Sequence, residues 1–416
     1  MNKLQKRVIG FIATGALLVN SALPVFASTV VIEGNGPDTE NTVNVEQSNT
    51  VGVQQDNYAS VHNMIVTSAN TGGNTVDKAT GGDVNVKTGD ASTEASVANT
   101  LNSNAANVEC CDQGDYDLKI AGNGPDSKNI IELGGEKEEE NGVYVTQNNQ
   151  AYVENEITTG AFTGGNDVNK PTGGDVSVDT GDASVKVSAV TAGNANSAYV
   201  GGNGTGTLSA WIVGNGPDTD NLIDLDLEHE VIAEQTNYAS IHNMVKAGAG
   251  TGENTVDKST GGEVEIKTGD ADVEVELENA VNFNWADLDC GCLLGSYTYK
   301  IAGNGPNSDN ELDIDLDGGA WAIQGNVAGS GISNGVMAEA LTGENEVDKS
   351  TGSYDGDPSI DTGDAYIYAG ASNTGNVNVV GGMPGFEWPE MPDFGDYGFQ
   401  FGFNWAFFMA WANMNG

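Results

Sequence analysis

Gly34-Asn35-Gly36-Pro37-Asp38-Thr39 returns as Gly122-Asn123-Gly124-Pro125-Asp126-Ser127, as Gly214-Asn215-Gly216-Pro217-Asp218-Thr219 and as Gly303-Asn304-Gly305-Pro306-Asn307-Ser308. The copies lie 88, 92 and 89 residues apart. Gly supplies unusual backbone angles, Pro presets φ, and Asn and Asp bond to their own backbone, so such a cluster is a turn. A turn that recurs at a nearly constant interval marks an internal repeat, and repetition governs the architecture before any single motif does.

Three further turns accompany each copy. Thr71-Gly72-Gly73-Asn74 recurs at 163–166, and with Glu in place of the second Gly at 251–254 and 342–345. Thr80-Gly81-Gly82-Asp83 recurs at 172–175 and, ending in Glu263, at 260–263; it decays to Thr351-Gly352-Ser353. Thr88-Gly89-Asp90-Ala91 recurs unchanged at 180–183, 268–271 and 362–365. Between the turns the period is two. Val51, Val53, Gln55, Asn57, Ala59 and Val61 share one face, as do Val143, Val145, Gln147, Asn149, Ala151 and Val153. Val231, Ala233, Gln235, Asn237, Ala239 and Ile241 repeat it, and Ala322, Gln324 and Asn326 continue it. A second alternating stretch follows each Thr-Gly-Asp-Ala turn, as in Ala271, Val273, Val275, Leu277 and Asn279. Successive side chains of a strand point to opposite faces, so both stretches are strands.

The expected fold is all-β: four tandem repeats of about 90 residues, as an elongated β-solenoid or a β-sandwich array. The repeats are 28–121, 122–213, 214–302 and 303–380, preceded by a signal peptide at 1–27 and followed by a linker and aromatic strand at 381–416. Gln and Asn recur on the face that carries Val and Ala. If that face is buried, the amides need partners, and identical amides in successive layers satisfy one another as ladders. Strands this long must also bend, bulge or break.

These turns together resemble the Asn/Gly/Thr-rich secreted repeat proteins of candidate-phylum bacteria, a likeness that spans residues 34–380 and implies a surface setting. The Gln-x-Asn-x-Ala face is also loosely similar to curlin repeats, with a different spacing.

Lys3, Lys6 and Arg7, the apolar run from Val8 to Val19, and the site Val25-Phe26-Ala27 read as a secretory signal cleaved after Ala27. Its loss removes three positive charges and no negative ones, so the net charge of −45 becomes −48. Such a chain repels nucleic acid and anionic lipid. No later segment of the sequence reads as a spanning helix, and the expected location is secreted or at the cell surface.

Chemistry-bearing residues are few. His62 and His242 occupy the same offset in two repeats and fall on the outer face by parity; His229 is the third histidine. No nucleophile, phosphate-loop or zinc pattern stands out, so an enzyme is not expected. Cys110, Cys111, Cys290 and Cys292 are an even set in an exported chain and are read as disulfide-forming; the alternative is a zinc site, for which Cys-Cys and Cys-x-Cys are poor spacings. Asp90, Asp182, Asp270 and Asp364 recur in identical turns and are the candidate Ca²⁺ ligands; the alternative is that each accepts backbone hydrogen bonds in its own turn. Asp313 to Gly318 imitates the start of an EF-hand loop, but Ile314 and Leu316 continue the alternation, so it is read as a strand. Lys78, Lys170, Lys258 and Lys349 recur before the Thr-Gly turn and are expected to pair with a turn Asp.

The tail departs from this pattern. Phe399, Phe401, Phe403, Trp405 and Phe407 alternate with smaller or polar residues, making a strand with one aromatic face. It is expected to cap the last repeat or to bind a neighbouring subunit or wall component. The expected function is an exported structural or adhesive surface protein, acting as an assembly subunit through self-association or contact with the cell wall; the alternative is a glycan-binding surface module.

Overall fold

The computed structural model describes residues 19–20, 28–45, 50–109, 115–134, 142–201, 207–288, 296–327, 331–351 and 358–381. These residues form strands joined by turns, with no helix among them. Among the described residues, therefore, no helix is long and apolar enough to cross a membrane.

The strands fall into five sheets in which all pairings are parallel. Gly142–Phe162 lies between Thr50–Asn70 and Asp220–Gly250. Val143 stands beside Val51 and Val231, Gln147 beside Gln55 and Gln235, and Asn149 beside Asn57 and Asn237. Asp220–Gly250 pairs on its other side with Asp309–Asn326 and Gly331–Leu341. The second long sheet orders Ala91–Glu109, Ala183–Gly201, Ala271–Leu288 and Ala365–Val380 in the same way. Partners in both sheets are the residues that the repeat aligns. Parallel strands cannot be joined by a tight hairpin, and here the connection is most of a repeat. The acidic run from Asp313 is part of the strand Asp309–Asn326, as the alternation predicted.

The unequal spacings have a local cause. Gly134 pairs with Asp226 and Gly142 with Glu230, so the second segment takes eight residues where the third takes four. The surplus falls between strands, and the register on either side is unchanged. A one-residue slip within a strand would instead send its apolar set to the wrong face.

Within a segment the chain runs along one long strand, turns a corner, and returns along the other. Gly142–Phe162 is followed by Asp167–Asn169 and Val176–Asp179, and then by Ala183–Gly201. Val168, Val176 and Val178 fill the corner with their counterparts above and below. The two long sheets face each other: Ile157 and Ala161 pack with Val185 and Val187, and farther along Val143 and Val145 pack with Ala198 and Val200. Beyond these, Leu118 and Ile120 close on Ile131 and Leu133.

The expected break in the long strands is a bend at one asparagine column. Asn102, Asn194, Asn282 and Asn376 have φ of 44°, 56°, 64° and 61°, a left-handed conformation that Asn tolerates better than most residues. Each side chain bonds to the next, at 3.0, 3.1 and 2.9 Å. Asn102 and Asn194 also donate across the core to the carbonyls of Gln150 and Tyr238.

The turns stack as closely as the strands. A Cβ placed on Gly164 would lie 1.8 Å from the carbonyl oxygen of Gly252, and one on Gly72 the same distance from that of Gly164. Side chains at these positions would collide with backbone, so Gly is required by the approach of neighbouring turns.

Candidate functional site

Seen from its residues, the most developed feature is a set of buried amide columns between the two long sheets. Gln147 donates through Nε2 to Gln55 Oε1 at 2.7 Å, Gln235 to Gln147 at 2.8 Å, and Gln324 to Gln235 at 2.8 Å. Each also donates to a carbonyl of the opposite sheet: Ala105, Ser197, Trp285 and Val379, in segment order. The amides therefore join segments along the stack and sheets across it. Asn63, Asn155, Asn243 and Asn334 form a second column with steps of 2.8, 2.6 and 2.7 Å.

Asn196 is the centre of the array. It accepts from Asn104 at 3.0 Å and from Asn149 at 2.8 Å, and donates to Asn237 at 3.0 Å and Asn284 at 2.9 Å. Gln147, Gln235, Asn196, Asn237 and Asn284 are fully buried. Burying polar groups at this density is tolerable because these five have partners; at the end of the column through Asn57, Asn149 and Asn237, the buried Asn326 Oδ1 is left without one. The reading of the first long strand anticipated the Gln and Asn columns. It missed Asn102 and Asn104 with their counterparts, which fall where the second stretch bends and its alternation changes phase. The signal was present in Asn102, Asn194, Asn282 and Asn376 sharing one offset.

The Thr-Gly-Asp-Ala turns form another column. The backbone N–H of Asp182 donates to Asp90 Oδ1 at 3.0 Å, that of Asp270 to Asp182 at 2.9 Å, and that of Asp364 to Asp270 at 2.8 Å. One carboxylate oxygen of each of the first three is thus engaged by the following segment. Among the described residues no three His, Cys, Asp or Glu side chains gather closely enough to hold a metal ion. Lys78, Lys258 and Lys349 pair with the residue before them, Asp77, Asp257 and Asp348, and not with an Asp of the Thr-Gly turn that follows. All four recurring lysines have φ between 49° and 59°, so their place is set by the backbone as well as by charge.

The outer faces are acidic. Asp224, Asp226 and Glu228 lie directly beside Asp313, Asp315 and Asp317. Glu278 is pushed above the ordinary carboxylate range by burial and then by the neighbouring Glu276. The few lysines interrupt such columns: Lys87 meets Asp179 at 2.9 Å, and Lys186 meets Glu274 at 3.0 Å. The bond to Asp179 holds the Lys87 ammonium above its usual value. His62 is exposed, as parity predicted, and contacts Glu154 at 3.1 Å. Tyr58, Tyr152 and Tyr238 line one outer face, with successive ring centroids 5.9 and 5.3 Å apart.

Like charges side by side on neighbouring strands are destabilising and are screened by salt. Thermal unfolding should therefore shift upward in NaCl as much as in CaCl2 of matched ionic strength, relative to EGTA. A larger rise with Ca²⁺ than with matched NaCl would restore Asp90, Asp182, Asp270 and Asp364 as specific ligands.

Both ends of the stack are sheet edges. Ile266 and Val273 are 0% exposed, whereas Ile360 and Ile367, next to them in the last segment, are 46% and 47% exposed. At the first edge, among the described residues, the two-residue strand Val19–Asn20 runs beside Ala106 and Asn107. Cys110, Cys111, Cys290 and Cys292, and the aromatic residues Phe399, Phe401, Phe403, Trp405 and Phe407, lie outside the described residues.

No protein-family model matches the chain, and no curated protein or solved structure shows significant similarity to it.

Proposed function

We propose that this chain is an exported, non-enzymatic structural or adhesive protein of a cell surface, folded as a β-solenoid of four coils and acting as an assembly subunit. The observation that carries the reading is the in-register parallel pairing of like residues from segment to segment. Stacked repeats bury a continuous core only against their neighbours, which gives a stack with two open ends; at about 4.8 Å per strand the four coils are shorter along the stack than the long strands are across it, so an extended rod arises only when copies associate. The Gln and Asn columns hold the coils in one register. Residues 1–27 are the leader that directs export, and the four cysteines are oxidised outside the cell. The charge of the mature chain is spread over the outer faces of the stack, which discourages lateral aggregation. The aromatic strand at 399–407 serves attachment, either to the last coil or to a wall component.

Electron microscopy and light scattering of the purified mature chain test this reading. Particles that associate into larger ordered assemblies, or that are retained on isolated cell walls, are the expected result. A compact monomer with no retention on walls would overturn it.

A glycan-binding role is the second reading, favoured by the exposed column of Tyr58, Tyr152 and Tyr238. These rings lean on one another at tilts of 50° and 48°, which leaves less ring face for a sugar. Saturable binding of a defined glycan, lost when the three tyrosines are changed to alanine, would place this reading first.

A further inference from the structure

We propose that the partner of this chain is a second copy, stacked end to end, with the last segment of one molecule pairing in parallel register with the first segment of the next. This rests on the assembly reading above and names the surface and the order of contact.

Three observations meet here. The first is the set of glycine columns. Gly72, Gly164 and Gly252 would each place a Cβ 1.8 Å from the backbone of the following segment; Gly343, last in the column, would meet nothing within 4 Å. The columns of Gly36 and Gly89 face the other way. A Cβ on Gly124, Gly216 or Gly305 would lie 2.3 to 2.6 Å from the preceding segment, whereas one on Gly36 meets nothing. The same holds for Gly181, Gly269 and Gly363, at 2.3 to 2.6 Å, against Gly89. In these three columns the open position therefore sits on an outer edge and faces outward. None of Gly36, Gly89 and Gly343 has a positive φ. Nothing within one chain requires glycine there, and a stacked copy would.

The second observation is polarity. In the column Asn63, Asn155, Asn243 and Asn334, each amide donates to the following segment. In the aspartate column each backbone N–H donates to the preceding one. Continued across a junction, Asn334 would donate to Asn63 of the next copy, and Asp364 would accept from its Asp90. Both columns keep their sense, so the ends are complementary to each other and neither is complementary to itself. Contact of this kind is head-to-tail and non-closing, which produces a filament.

The third is the apolar rim. Ile360, Ile367 and Val380 are 46%, 47% and 62% exposed, and among the described residues the strands that carry them pair on one side only. Such an edge is a template for another strand. In the segment 399–407 Gln400 and Asn404 stand four residues apart, whereas the repeats set Gln and Asn two apart, as at Gln324 and Asn326, so it is the poorer match to this edge.

Gly343→Ala tests the junction, because its methyl points away from its own chain. Below the concentration at which the wild type assembles, the mature variant should melt with it, and above that concentration it should lose end-to-end assembly in light scattering and microscopy. Mixed with wild type, it should shorten filaments, since it can add to an end but cannot be extended. A second measurement fixes the register: Glu94→Cys with Tyr368→Cys should yield a disulfide linking positions 94 and 368 of different chains, mapped by mass spectrometry. These positions belong to one column, and adjacent strands place Cα atoms about 4.8 Å apart, within disulfide reach. Assemblies that persist in Gly343→Ala, without the 94–368 link, would overturn end-to-end stacking and leave the assembly reading standing. A chain that is monomeric with and without residues 381–416 would overturn both. Filaments formed by 28–380 but not by 28–416 would show the tail, and not a second copy, to be the occupant of the last edge.

Discussion

Gly164→Ala is expected to destabilise the protein by more than about 3 kcal/mol, beyond the usual range for an overpacked site. The added Cβ would lie 1.8 Å from the Gly252 carbonyl oxygen and 2.6 Å from that of Thr251. Overpacking is ordinarily relieved when a side chain changes rotamer. Here the obstacle is backbone that is itself bonded to its neighbours: Gly165 N–H donates to Gly252 O at 2.9 Å, and Thr163 N–H to Gly250 O at 2.9 Å. Relief requires the turns to separate, which breaks those bonds and strains the strands on either side. Gly343→Ala is the control, with the same residue type, turn and substitution but open space above it. Denaturant midpoints of the two variants should differ widely, with Gly343→Ala close to wild type. Equal losses in both would show that the turn itself, and not the stack, demands glycine.

Asn196→Leu is expected to cost about 4 kcal/mol, from several partly orphaned polar groups at roughly 1–3 kcal/mol each. The change withdraws an acceptor from Asn104 and Asn149 and a donor from Asn237 and Asn284. All lie where water has no ready access, and each keeps some of its other bonds, which holds the sum below its upper bound. Asn378 is in the same column and is exposed at the last edge. Asn378→Leu should cost less than about 1 kcal/mol, as surface changes do. Equilibrium unfolding of both variants checks the contrast. If the two losses were alike, the network would owe its stability to local packing and not to buried amide pairing.

Both predictions depend on the same circumstance, which is that one residue type meets different surroundings according to its place in the stack. This separates what could be read early from what could not. The all-β class, the turn positions and the inward face of the first long strand were legible, because alternation and turn chemistry act over a few residues. Val51 and Val53 are buried and His62 is exposed, as parity requires. The strand reading of Asp313 to Asp317 held for the same reason. The pairing of the recurring lysines was read less well. Their partners are the adjacent Asp77, Asp257 and Asp348, since a left-handed backbone at Lys turns the ammonium back along its own chain.

By itself the sequence determined where the chain turns, which side chains share a face, and which residues recur at one offset. These are consequences of local backbone sterics and of the period of two, and they need no knowledge of neighbours. The tertiary structure alone decided that the recurring residues stand beside one another in parallel register. That choice depends on contacts 88 to 94 residues apart in the chain, whose free energy no local window contains. It turns a face of alternating Gln and Asn into a buried bonded column, and it makes one glycine indispensable and its counterpart at the edge free to change.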